Sequence, residues 1–126
     1  MTFKTILQSI VDDCGGGFSA ALMGLDGIAI EQVVAAPGTH DQDPLAGDVT
    51  HAGIEFGRIL ADAVKASDSL GTGGVKEAVF SLDAANLIFH MVDNELMLVL
   101  ALHPDGNLGK ARYLLRRSIG AIRAEL

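Results

Sequence analysis

Apolar residues recur with two periods along the chain, and the changes of period mark out its elements. Phe3, Ile6, Leu7, Ile10, Val11 and Cys14 step by three and four, which predicts a helix over 3–14. Gly15-Gly16-Gly17 ends it. Phe18 to Leu25 and Ile28 to Val34 are apolar-rich strands flanking Asp26-Gly27, a strong hairpin signal. A two-residue turn sets Leu25 opposite Ile28, Met23 opposite Ile30 and Ala21 opposite Gln32, with Phe18, Ala20, Leu22, Ala29 and Val33 on the other face. Both faces are largely apolar, so the hairpin is predicted to be covered on both sides. Leu25 and Ile28 fall at its tip, either as ordinary sheet-end packing or as a knob for another protein.

Residues 35–47 are rich in Pro, Gly, Asp and His and read as a loop. The helical period returns over Asp48–Ser67 with two stripes. Val49, Ala52, Phe56, Ile59, Leu60 and Ala63 form the one expected to rest on the sheet. Thr50, Ile54, Gly57, Ala61 and Val64 form a second, with small residues at its centre, which suggests close approach of another helix. His51, Glu55, Arg58, Asp62 and Lys65 make the polar side. Val75–Leu82, Ala85–Val92 and Glu95–Leu102 then read as three strands, separated at Asp83-Ala84 and Asp93-Asn94. The last is almost continuously apolar and is predicted to be central. After the turn residues Pro104 and Asp105-Gly106, Asn107 is placed to N-cap a closing helix. Its apolar stripe is Leu108, Ala111, Leu115, Ser118, Ile119, Ile122 and Leu126.

The order helix, two strands, helix, three strands, helix predicts an α/β sandwich. A five-stranded antiparallel sheet would carry the two terminal helices on one face and the middle helix on the other. At 126 residues and 49% hydrophobic, the chain suits one domain spanning 1–126, with a core that needs neither disulfide nor metal.

Charge changes this picture at one end. Residues 108–126 hold five cations (Lys110, Arg112, Arg116, Arg117, Arg123) against Glu125, a net +4; the preceding 107 residues hold four cations and fifteen anions, a net −11. The total of −7 argues against a dedicated nucleic-acid binder, which needs a broad positive surface. A single cysteine fits a reducing compartment. The N-terminus has no signal-peptide core, and no apolar run reaches the roughly 18–20 residues of a membrane helix. A cytoplasmic protein is expected.

Candidate chemistry is sparse. Cys14 ends an apolar stripe beside Asp12 and Asp13 without a local base, so it reads as a buried filler. His40, Asp41, Asp43, Asp48 and His51 match no metal-site spacing, and no metal or other cofactor is expected. His90 is a lone strand histidine. Gly71-Thr72-Gly73-Gly74 lacks the Gly-Lys-Ser/Thr ending of a phosphate loop and reads as a connector. No nucleophile pairs with a base, so no catalytic residue is assigned and an enzyme is not expected.

Two segments placed within this element order carry a resemblance. They are Met23-Gly24-Leu25-Asp26-Gly27-Ile28-Ala29 and the run Leu100-Ala101-Leu102-His103-Pro104-Asp105-Gly106-Asn107-Leu108-Gly109-Lys110-Ala111-Arg112-Tyr113. With them, nearly the whole chain resembles the Roadblock/dynein-light-chain family, and within it the bacterial gliding-motility branch of MglB and MglC type.

The resemblance implies a profilin-like sandwich and a homodimer whose sheets join edge to edge through Val75–Leu82, with second helices side by side. On that basis Ile54, Gly57, Ala61, Val64, Val75, Glu77 and Val79 are expected at the dimer interface. It also implies work beside a Ras-like GTPase of MglA type, as an adaptor bound to an MglB-type paralogue and other polarity proteins, at the cell poles. The alternative is a direct GTPase activator, which in this family inserts no arginine finger. The sequence ends at Leu126 without the C-terminal extension of some MglB-type proteins, which favours the adaptor. Partner contacts are expected at Leu25, Asp26 and Ile28 on the hairpin and at Glu55, Arg58 and Asp62 on the second helix. A small-ligand sensor is the third reading, since similar sandwiches host ligands.

Overall fold

The computed structural model describes residues 2–35 and 49–126. The elements follow the order expected: α1 (Phe3–Asp13), β1 (Gly17–Gly24), β2 (Ala29–Val34), α2 (Thr50–Leu70), β3 (Glu77–Ser81), β4 (Asn86–Met91), β5 (Leu96–Leu102) and α3 (Leu108–Glu125). The five strands form one antiparallel sheet in the order β2-β1-β5-β4-β3. β5 is central, as its unbroken apolar run requires: Leu98, Leu100 and Leu102 point to one face and Met97, Val99 and Ala101 to the other, all fully buried.

Each face supports its own core. On one side Ile6, Leu7, Ile10 and Val11 of α1 and Ala111, Leu115, Ile119 and Ile122 of α3 pack over Leu22, Ile88 and Leu100. On the other side Ala52 and Leu60 of α2 cover Met23, Leu87, Phe89 and Val99. The predicted sandwich, with the terminal helices together and the middle helix opposite, is the observed one.

Local chemistry sets the boundaries. The Thr2 hydroxyl accepts from Thr5 N–H at 3.2 Å to cap α1, and Asn107 Oδ1 accepts from Lys110 N–H at 3.0 Å to cap α3. α2 runs three residues beyond the predicted Ser67, to Leu70. It stops at Gly71 as a C-cap, where Thr72 N–H returns to the Ser67 carbonyl. The turn at 103–107 is tied to the end of α1, with His103 N–H on Gly16 O (2.8 Å) and Asn107 N–H on Gly15 O (3.0 Å). Arg123 holds the end of β4 by donating Nε and Nη2 to the Val92 carbonyl at 3.0 and 2.6 Å.

Three expectations need correction. The hairpin loop has three residues, Leu25-Asp26-Gly27: Gly24 N–H bonds Ile28 O, Gly27 N–H bonds Gly24 O, and Asp26 Oδ1 accepts from Ile28 N–H. With a further bulge beyond Leu22, Met23 pairs with Ala29, not Ile30, while Ala21 does pair with Gln32. Phe18 belongs to the α2 side of the sheet, because β1 is irregular between Gly17 and Ser19. Finally, Ile59 is half exposed instead of resting on the sheet.

Candidate functional site

The predicted contact residues fall on two separate parts of the surface. On α2, Glu55, Arg58 and Asp62 occupy one exposed line at steps of three and four, with Arg58 Nη1 3.8 Å from Glu55 Oε2. Both side chains of that pair are mostly in water, so it organises the face more than it stabilises the fold.

The hairpin contributes differently to each face of the sheet. Leu25 is half-buried and packs with the α2-side cluster, so it is not a free knob. Ile28 is 68% exposed and Ile30 49%. The tertiary fold places the turn against α2: a β-carbon at Gly27 would lie 3.3 Å from Ile54 Cγ1, and one at Gly57 would lie 3.6 Å from both Leu25 O and Met97 Cε. Gly57 is therefore buried between the hairpin and β5, at ordinary van der Waals distance from both. Gly53 marks a still closer approach that the sequence pattern did not reveal. A β-carbon there would overlap the Met23 side chain, 2.7 Å from Cε.

The sheet edges differ. On β2, Gln8 Nε2 donates to Val34 O at 3.3 Å and Glu31 Oε1 accepts from Gln32 N–H at 3.1 Å, which partly occupies that strand's polar groups. β3 is the opposite edge and pairs only with β4 among the described residues. Ala78, Val79 and Phe80 on it are half-buried. Glu77 is ion-paired to Arg112 of α3, so one cation of the basic helix secures this edge strand from within its own chain.

α2 reaches β3 through Phe56, whose ring lies 4.6 Å from that of Phe80. Ile59, Ala63 and Leu70 continue along the helix on the Phe56 side, with Ile59 50% and Leu70 77% exposed. Phe56 thus ties α2 to β3, and the Ile59 line follows from it along the exposed flank of the helix. Ile54 instead stands beside the hairpin, at the other flank of α2. The periodicity carries Ile59 as one more member of the core stripe, and only the position of the edge strand gives its exposure a meaning.

Other candidates hold structural places. Cys14 is fully buried with Sγ 3.6 Å from Val11 O, and burial pushes its thiol up from the usual range. His90 Nδ1 lies 3.3 Å from Met91 O. His40, Asp41, Asp43 and Asp48, with most of the 35–47 loop, lie outside the described residues. Among the described residues no group of three or more His, Cys, Asp or Glu is placed to hold a metal. No helix among them is long and apolar enough to cross a membrane.

This sandwich is the Roadblock fold. A Roadblock/LC7 domain from Streptomyces avermitilis superposes with a TM-score of 0.79 over 98% of this chain and 97% of that one, at 15% identity. MglB from Thermus thermophilus gives 0.79 over 96% and 85%, at 17% identity. MglC from Myxococcus xanthus is 33% identical with both chains covered in full, at a TM-score of 0.69. The chain belongs to the Roadblock/LC7 family, in its MglB/MglC branch. No family model matches the sequence, and no curated protein does.

Proposed function

We propose that this protein is a non-catalytic, homodimeric adaptor, one Roadblock domain over 1–126, in a bacterial polarity and gliding-motility circuit built on a Ras-like GTPase. It works in the cytoplasm and at the poles, and it joins an MglB-type paralogue to other polarity proteins by protein contacts. The observation that carries this reading is the 33% identity to MglC along the full length of both chains.

The dimer joins β3 to β3, extending the sheet across two copies, with the α2 helices side by side. Val75, Glu77 and Val79 keep their proposed place at that junction. Ile59, Ala63 and Leu70 take the role first given to Ile54 and Gly57, because they flank the same edge; Ala61 and Val64 lie on the hairpin flank with Ile54. Immobilised protein is expected to capture a cognate MglB-type dimer from purified components. Arg58→Glu, which reverses the centre of the exposed α2 line, weakens that capture while leaving the dimer mass intact. Failure to associate with any MglB-type, MglA-type or polarity protein rejects the adaptor.

One observation favours a second reading. Glu55, Arg58 and Asp62 form a charged, water-facing line on α2 that a GTPase surface could meet. Acceleration of GTP hydrolysis by the cognate MglA-type protein, lost in Arg58→Glu, makes the protein an activator. A flat hydrolysis rate at saturating protein leaves the adaptor.

A further inference from the structure

The hairpin, the β4–β5 turn and the end of α3 enclose a surface groove of about 460 Å³. Its floor is aliphatic. Ile28 and Ile30 enter from the hairpin and Leu96 from the start of β5, with Leu126 beyond the last turn of α3. Ile28, Ile30 and Leu126 are 68, 49 and 60% exposed, so three large apolar side chains meet water in one place. The backbone explains the crowding. The three-residue turn and the bulge beyond Leu22 leave Ile30 without a register partner on β1 and put Ile28 and Ile30 on the same groove.

The rim is acidic. Asp26, Asp93 and Glu95 line the groove, and among the described residues no lysine or arginine does. Asp26 spends Oδ1 on Ile28 N–H, and Asp93 spends Oδ1 on the N–H groups of Glu95 and Leu96 at 2.8 Å, which holds both carboxylates in place. Among the described residues none of the three forms an ion pair. Arg123, at the end of α3, gives its guanidinium to the Val92 carbonyl instead.

An apolar floor under three negative charges, two of them fixed, complements one kind of partner. We propose that this groove docks a basic segment of a partner protein, one that inserts an aliphatic or aromatic anchor between Ile28, Ile30 and Leu96 and sets lysines or arginines against Asp26, Asp93 and Glu95. The inference rests on the adaptor reading and specifies its hairpin contact. The charged line of α2 is left to a different partner surface. Charge complementarity would speed the encounter, and the anchor would hold the complex.

The probe is a short fluorescein-labelled peptide of alternating leucines and lysines, with a glutamate-for-lysine counterpart, read by anisotropy on the full chain. The lysine peptide is expected to bind, and to weaken as salt rises. Ile28→Ser with Ile30→Ser, and separately Asp93→Asn with Glu95→Gln, should each weaken binding roughly tenfold or more. Asp93→Asn keeps the Oδ1 acceptor of the turn, so this variant should fold even if the isoleucine pair does not. Asp12→Asn with Asp13→Asn, on α1, is the control and should bind as the unaltered chain does. Equal binding of the two peptides, or groove variants that bind as well as the control, overturns the proposal. So does a concentration-dependent rise in mass that the groove variants abolish, since the occupant would then be the basic α3 of a second copy. If groove variants fail with the peptide while the MglB-type dimer is never captured, the groove stands and the adaptor falls; capture without any peptide binding has the opposite meaning.

Discussion

Gly27 has φ +91°, a conformation that costs an L-residue about 1–2 kcal/mol, and its missing side chain leaves room for Ile54. Gly27→Ala is therefore expected to lower the unfolding free energy by about that amount in a urea titration; a neutral result would mean the turn can relax into another type. Cys14 supplies a pH signature. Burial, opposed mainly by the Gly17 backbone, raises its pKa above the ordinary 9.0, so the folded chain holds this proton more tightly than the unfolded one. Its contribution is complete below the unfolded pKa and is lost as pH rises past about 9. Cys14→Ala should flatten the alkaline limb of stability against pH, and a limb of unchanged slope would assign it to other groups. Both residues were legible in part: Asp-Gly announced a turn and the apolar stripe announced a buried thiol. The length of the turn was not, because an Asp-Gly pair fits a two-residue loop or the end of a three-residue one equally well.

At the scale of elements, α3 shows how local and long-range forces divide. Its start rests on one side chain, Asn107, whose Oδ1 meets Lys110 N–H. Asn107→Ala should cost about 1 kcal/mol and lower the melting temperature by roughly 3–6 °C, while Asn107→Asp retains the acceptor and most of the stability. Equal melting of the two variants would show that packing alone sets the helix start. The basic side of this helix, so conspicuous in the sequence, is spent partly inside the fold. Arg112 pairs with Glu77 and Arg123 caps the Val92 carbonyl, while Arg117 lies 5.5 Å from the Tyr113 ring centre. These partners are 31 to 35 residues away for Arg123 and Arg112, so no local pattern could have revealed them. α2 shows the converse limit. Periodicity found both of its flanks, but which flank faced the hairpin and which faced β3 depended on how the helix crosses the sheet.

That crossing decides what the molecule can assemble. With β3 at the free edge and Ile59 on the adjoining flank of α2, a charge at Ile59 enters the proposed junction, while a charge at Ile54 enters the contact with the chain's own hairpin. Ile59→Glu is expected to remove about 3 kcal/mol or more of dimer stability and to halve the mass seen by light scattering. Ile54→Glu should leave the mass unchanged and lower the melting temperature. The reverse outcome would return the interface to the stripe of Ile54 and Ala61. The two surfaces proposed for partners then lie apart, a charged line on α2 and an acidic, apolar groove on the opposite side of the hairpin, which suits a protein that connects others.

Element order, the central place of β5, the division of the helices between two faces and the family likeness were all written in the sequence. Each rests on periodicity, capping and turn residues, which act over a few positions and so survive in a linear reading. Edge, register and flank were decided by the tertiary structure. Two register shifts moved Phe18 and Ile30 from their alternating positions, the hairpin and β5 together buried Gly57, and the sheet order made β3 an edge. The physical reason is that surface exposure belongs to pairs of elements distant in sequence, and docking sites are built from what that pairing leaves uncovered.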